Sequence, residues 1–336
     1  MIYTFVETLK PMLALFIFIA LGFILVKFKV LPENSSKVLA KLLTFAICPA
    51  LSFSAMANYF TINNFVEHFI NLLLGSLSVG VALIVTFSIV GFFVKDKRSY
   101  ERNIYKYALT IGNMGYVGEP LVIALFRMEG LAYYKIAVLP FSILIYTWGI
   151  NILVPKGESK SSLLKMLLNP PTLFLFIGMI AGISGFGSLL YSTNAISFIP
   201  DVIDGLGGCM GPVAMLLAGV TIAKYNVKKM LTNKKIYVAS IFRLVFIPAV
   251  VIAVMFGVIS LINLIPNIAV DNSFLFWLYF CVATPLGMNT IVFPEAYGGD
   301  PSTGAGMTTI SHTLCVITIP LTYALLVLLV GPAPVF

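Results

Sequence analysis

Apolar residues run along this chain in long blocks divided by short polar stretches, with neither the two-residue alternation of strands nor the one-sided stripe of a soluble amphipathic helix. The blocks lie near 11–27, 36–57, 67–94, 104–127 and 131–153, then, after the polar stretch 154–170, near 171–192, 200–224, 235–262, 273–297 and 301–330. Each is close to the roughly 20 apolar residues that a helix needs to cross a bilayer. The pattern predicts an all-α protein with ten transmembrane helices. The seventh block is the least regular, because it starts on "DVIDGLGGCMG".

Composition agrees with this reading. Hydrophobic residues make up 60% of the chain and charged residues only 10%, which excludes a soluble domain with a solvated surface. The first block, "PMLALFIFIALGFILVKFKV", is long for a signal peptide and lacks a small-residue cleavage site, so it is read as the first span. The net charge of +8 changes the picture only through its placement. Lys27, Lys29, Lys37 and Lys41 flank the first loop, and Lys95, Lys97, Arg98, Arg102 and Lys106 the third. Lys156, Lys160 and Lys165 fall in the fifth, and Lys224, Lys228, Lys229, Lys234, Lys235 and Arg243 flank the seventh. Lys10, Arg127 and Lys135 fall elsewhere. Positive charge collects on the cytoplasmic side, so a multi-pass plasma-membrane protein with both termini extracytoplasmic is expected, and no nucleic-acid partner. The ninth loop, "YGGDPST", carries no positive charge and does not help orient the bundle.

The two halves are alike. "KPMLALFIFIALG" lines up with "PPTLFLFIGMIAG", and "CPALSFSAMA" with "GPVAMLLAGV". The interruption from Gly112 to Pro120 in the fourth block is matched by "TPLGMNTIVFPEAYGGD" in the ninth. Two five-helix repeats, 1–153 and 171–336 joined by a cytoplasmic linker at 154–170, must be inverted relative to each other, because five is an odd number of crossings. Inverted repeats with broken helices that cross near the midplane are the architecture of secondary transporters.

A broken helix bares N–H groups at one half-helix start and C=O groups at the other half's end, and the first of these attracts anions. Gly112, Gly115, Gly118 and Pro120 supply one break, and Pro285, Gly287 and Pro294 the other. Asn113 and Asn289 add amides that suit either a carboxylate ligand or the freed backbone of the opposite helix. Glu119 is a carboxyl group at membrane depth with no deep lysine or arginine as an obvious partner, which makes it a candidate for proton or ion coupling. His312 is a second candidate for a proton path, while His68 is placed at the interface. Asp201 and Asp204 suit a helix N-terminus, and Glu295 and Asp300 the inner surface. Cys48, Cys209, Cys281 and Cys315 lack metal or redox spacing and are read as small buried hydrophobes; neither a metal nor a cofactor is expected.

In "LLTFAICPALSFSAMA", "GNMGYVGEPLVIALF", "GPVAMLLAGVTIA" and "ATPLGMNTIVFPEAYGGDPST" the sequence resembles the auxin efflux carrier family, which includes plant PIN auxin exporters and bacterial malate and malonate permeases. The likeness runs the length of the chain. It implies a fold like that of the bile acid sodium symporters, with a scaffold of spans one, two, six and seven, a transport unit of spans three to five and eight to ten, an elevator-type motion and a homodimer through the scaffold. It implies substrate-binding roles for Asn113, Gly115, Tyr116 and Pro120 at one crossing half and for Pro285, Asn289 and Thr290 at the other, with Pro49 and Leu51 facing the pocket from the scaffold. Glu119 stands where the family is expected to have an apolar residue, which leaves the coupling ion open.

These features together give an expected function of secondary transport of a small organic anion, auxin-like or a mono- or dicarboxylate, with proton coupling. Sodium coupling, uniport, and a channel or sensor of the same fold are the alternatives. An enzyme is not expected, since neither HExxH nor GxSxG occurs and "YGGD" lacks the glycine spacing and partner of an intramembrane aspartyl protease.

Overall fold

A computed structural model describes residues 1–32, 34–154, 167–193, 197–225, 232–296 and 300–335, with the side chains of Glu295 and Ala296 excluded. Lys156, Lys160, Lys165, Lys228 and Lys229 and most of the 154–170 linker therefore lie outside the described residues. The described chain is helical and has no strand; an isolated bridge, Gly112 to Leu286, is its one β-type pairing.

The helices are α1 (Ile2–Lys27), α2 (Ser35–Tyr59), α3 (Phe65–Phe93), α4 (Tyr100–Thr110), α5 (Met114–Leu153), α6 (Pro170–Ile183), α7 (Phe186–Ser192), α8 (Phe198–Gly208), α9 (Met210–Ala223), α10 (Lys234–Ile262), α11 (Ser273–Val282), α12 (Asn289–Ala296) and α13 (Ser302–Val330). Among the described residues, seven helical runs are long and apolar enough to cross a membrane: α1, α2, α3 with its leading turn, α5, α8 with α9, α10 and α13. The pair α6 and α7, bent by 86°, adds an eighth if taken as one span. The helix α1 starts at Ile2 rather than at residue 11, because Pro11 is absorbed inside it and Lys10 pairs with Glu7 at 2.7 Å on an exposed face.

Prolines shape the helices locally. Pro49, Pro120 and Pro248 each follow a π-helical turn, at Leu43–Ile47, Met114–Gly118 and Phe242–Phe246. A proline inside a helix lacks a donor and pushes on the carbonyl four residues back, so the preceding turn widens instead of closing. Within α5 the backbone kinks at Arg127, an exposed residue with φ of 57°, where "FRMEG" places polar residues and a glycine in an otherwise apolar run. The kink lies in the gap expected between the fourth and fifth blocks.

Two tight helix pairs anchor one side of the bundle. The helix α1 lies along α9, and the second half of α2 along α6. Both depend on glycine: Gly219 faces the carbonyl of Ile19, and Gly182 the carbonyls of Met56 and Phe60, so closely that a methyl group would not fit at either. Without a hydrophobic driving force in lipid, such close backbone approach is a main source of helix association. His68, one turn into α3, is 1% exposed and packs between the rings of Phe60 and Tyr133. Of the cysteines, Cys281 and Cys315 are buried, but Cys209 is exposed where α8 gives way to α9.

Gly219→Ala is expected to force α1 away from α9 and to lower stability by about 1–3 kcal/mol. Gly257→Ala, where nothing lies within 4 Å of the added methyl, should be neutral or stabilising by up to about 1 kcal/mol. Thermal melting of the two variants in the same detergent checks this, and equal melting temperatures would sink the packing account.

Candidate functional site

Two helices end inside the bundle. The helix α4 stops at Thr110, the chain runs extended through Ile111, and α5 begins at Met114. The helix α11 stops at Val282, and α12 begins at Asn289. The two gaps lie against each other: Gly112 and Leu286 form the antiparallel bridge, and the Asn113 N–H donates to the Pro285 carbonyl at 2.7 Å. Each break thus supplies backbone partners for the other, which is what lipid requires of irregular chain.

The two bared C-terminal ends meet one cation. Arg243, in the widened turn of α10, is fully buried and donates from Nε to the Thr284 carbonyl at 3.2 Å. Its Nη1 donates to the carbonyls of Leu109 and Thr110 at 3.1 and 3.2 Å, and its Nη2 to the Cys281 carbonyl at 3.3 Å. Each helix C-terminus carries roughly half a negative charge, so two of them offset one guanidinium. Gly112 is required at this point, because a methyl group there would collide with the guanidinium and with the Thr284 hydroxyl. Arg243 is therefore not an exposed flanking residue of the seventh loop, as charge clustering suggests, but part of the protein's buried core. Tyr134 adds a further link, donating to the Met114 carbonyl at 2.8 Å and lying 3.3 Å from the Phe280 carbonyl.

The N-terminal sides of the breaks line a cavity of about 180 Å³. Asn113, Gly115, Tyr116 and Glu119 come to it from one break and Asn289 from the other, while Cys48, Ser52, Tyr146, Asn169, Thr172 and Met210 close it from α2, α5, α6 and α9. A methyl group on Gly115 would meet nothing within 4 Å, so this glycine opens onto free space. Asn113 and Asn289 are each held from behind. The Asn113 amide donates to His312 Nε2 at 3.0 Å, while His312 Nδ1, 2.8 Å from the Thr308 carbonyl, must carry the proton. The Asn289 amide donates to the Tyr107 hydroxyl at 2.9 Å.

Glu119 has a partner that linear reading misses. Lys135 Nζ lies 2.7 Å from Glu119 Oε1, both side chains line the cavity, and their relative exposures are 6% and 13%. The expectation of no deep cation beside Glu119 is corrected: the kink at Arg127 folds α5 back, so residues 16 apart in sequence meet. Glu119 Oε2 is buried with no hydrogen-bond partner, so half of the carboxylate is unsatisfied in this state. The remaining residues singled out from sequence lie off the cavity wall. Pro285 and Thr290 belong to the crossing itself, the latter bonding the Gly287 carbonyl at 2.9 Å. Pro120 packs toward Gly211, Leu51 toward Gly207, and Pro49 is buried in α2. His312 stands one layer behind Asn113 and also borders an apolar groove with Phe16 and Phe23 of α1.

A protein family described as membrane transport protein has a family model that matches residues 7–161 and 159–323 of the chain. No curated protein sequence matches it.

Lys135→Met leaves the Glu119 carboxylate without its cation and is expected to cost about 3–5 kcal/mol, read as a fall in melting temperature. Lys135→Met combined with Glu119→Gln should recover most of that loss. Equal losses in the single and double variants would mean that the pair provides no electrostatic compensation.

Proposed function

The chain belongs to the auxin efflux carrier family of membrane transport proteins, and from that premise we propose that it is a secondary transporter of small organic anions, mono- or dicarboxylates, working by alternating access at the cavity between the two breaks. The observation that carries the anion preference is the composition of the cavity wall: two half-helix starts, two asparagine amides and the Lys135 ammonium. The ammonium is positive, each asparagine keeps a second N–H beyond the one given to His312 or Tyr107, and Glu119 is the one acid among the described residues that line the cavity.

Ten crossings are the reading we favour. Division of α5 at the Arg127 kink gives a fourth span of α4 with residues 114–126 and a fifth span beyond it, and α11 with α12 makes the ninth. The breaks then occupy positions four and nine of two inverted five-helix repeats. In this reading α1, α2 and α6–α9 form the scaffold, held by the glycine contacts described above, and the remaining helices carry the crossing past it in an elevator-type motion.

Glu119 and Lys135 supply the coupling. The pair is neutral as a unit, so a substrate carboxylate entering the cavity adds one uncompensated negative charge. The anion competes with Glu119 for Lys135, and an ionised carboxylate stripped of its cation at this depth is costly. The least costly exchange protonates Glu119 as the substrate takes the lysine, which moves one proton with each substrate carboxylate that is paired in this way.

In proteoliposomes an inward proton gradient should drive uptake of labelled malate, malonate or indole-3-acetate, and Glu119→Gln should abolish the gradient's effect because the amide cannot release a proton. Uptake that ignores the gradient in the native protein would remove proton coupling, and no uptake of any of the three acids would overturn the substrate class.

A further inference from the structure

The carbonyl oxygens of Leu109, Thr110, Cys281 and Thr284 surround one small site from two helix ends and one gap, spread over three nitrogens of a guanidinium. Such a donor set can replace the hydration shell of a small monovalent cation, and unwound carbonyls with half-helix C-termini are where secondary transporters coordinate their coupling ion. Here the site is filled by a covalently attached cation. The Arg243 guanidinium takes all four carbonyls, is fully buried, and has no acid within its contacts; among the described residues the ion pairs are Lys10–Glu7 and Lys135–Glu119. The neighbouring chain accommodates the guanidinium rather than a hydrated ion, since Gly112 has no side chain on the face it occupies.

We propose that Arg243 is a resident cation at the helix crossing, holding the carbonyl cluster that would otherwise take sodium, so that this chain works without sodium and keeps a fixed positive charge directly behind the cavity wall. Gly112 is the link between the two roles: it lines the cavity on one side and touches the guanidinium on the other. Arg243 is a positioning residue in this account. It fixes the relative placement of Thr110 and Cys281, and through them the placement of Asn113 and Asn289. The proposal names the ion requirement of the proposed transport site and rests on that reading for its transport arm only.

The test compares the native protein with Arg243→Ala in thermal melting at equal ionic strength in choline, sodium or methylguanidinium chloride, with ethylammonium as a control for added organic cation. The native protein should melt alike in choline and sodium. Arg243→Ala should melt lower, and methylguanidinium should raise its melting temperature where ethylammonium does so less; sodium should raise it as well, because the emptied carbonyl cluster becomes a sodium site. Sodium-dependent stabilisation of the native protein would overturn the proposal, as would a variant that responds to methylguanidinium no more than the native protein does. If Arg243→Ala fails to fold, Arg243→Lys and Arg243→Gln replace it: the lysine should keep a folded, sodium-indifferent protein and the glutamine should not, and equivalence of the two overturns the role of charge. In the transport arm, malate uptake by the native protein should be equal in sodium and choline and should fall by about tenfold or more in Arg243→Ala. Malate uptake that requires sodium in the native protein overturns the proposal, whereas absence of malate uptake in the native protein counts against the substrate class and leaves the melting comparison to decide on Arg243.

Discussion

Backbone that leaves a helix inside a membrane must find partners within the protein, and every other feature of this site follows from how the chain meets that demand. The ends of α4 and α11 present carbonyls with no next turn to receive them. One side chain, Arg243, serves both ends and the Thr284 carbonyl of the gap. Burial of an isolated guanidinium would be prohibitive, and unsatisfied carbonyls would each cost free energy of their own. Together the two liabilities offset each other, because the two helix termini carry about one unit of negative charge between them. The crossing is thus electrostatically closed on its carbonyl side. Its N–H side is left free to face a ligand.

That division explains the polarity of the cavity. The half-helix starts at Met114 and Asn289 both line the open space, while the C-terminal ends of α4 and α11 are occupied by Arg243 on the other side. The asparagines are held rather than mobile: His312 and Tyr107 each fix one amide from behind, which pre-orients it before any substrate arrives. Fixed donors cost little to organise at the moment of binding. In contrast, the Glu119–Lys135 pair is only half satisfied, with Oε2 unpartnered, and it is the part of the wall best suited to change partner.

Much of this architecture was legible in the sequence, for a specific reason. Glycine and proline within apolar blocks are local signals, because lipid penalises them wherever they fall without cause, and the interruptions they marked at 112–120 and 284–300 overlap the observed gaps at 111–113 and 283–288. The apolar blocks likewise fall on helix, apart from the start of α1, where Lys10 and Pro11 suggested a boundary that the helix passes through, and the block 171–192, which bends by 86° between α6 and α7. Arg243 was hidden by its neighbours: Lys234 and Lys235 made it look like the edge of a basic loop, and its carbonyl partners lie as far as 134 residues away. Lys135 was hidden by the kink at Arg127, which turns a separation of 16 residues into a contact that no helical spacing predicts. The packing of His68 was hidden in the same way, since only the fold brings Tyr133 against it. Local chemistry could be read from the chain, and the partners of charges could not.

Two cations serve the crossing region, and they differ in kind. Arg243 is planar, permanently charged and bonded on three of its nitrogens to carbonyls that cannot move without unwinding a helix end. Lys135 is a single ammonium on a flexible stem, bonded to one carboxylate oxygen beside open space. The fixed cation therefore suits a structural role, and the ammonium, with one partner beside open space, is the one able to rearrange. An arginine at position 135 would fork on Glu119 and hold the carboxylate more firmly than the single ammonium does.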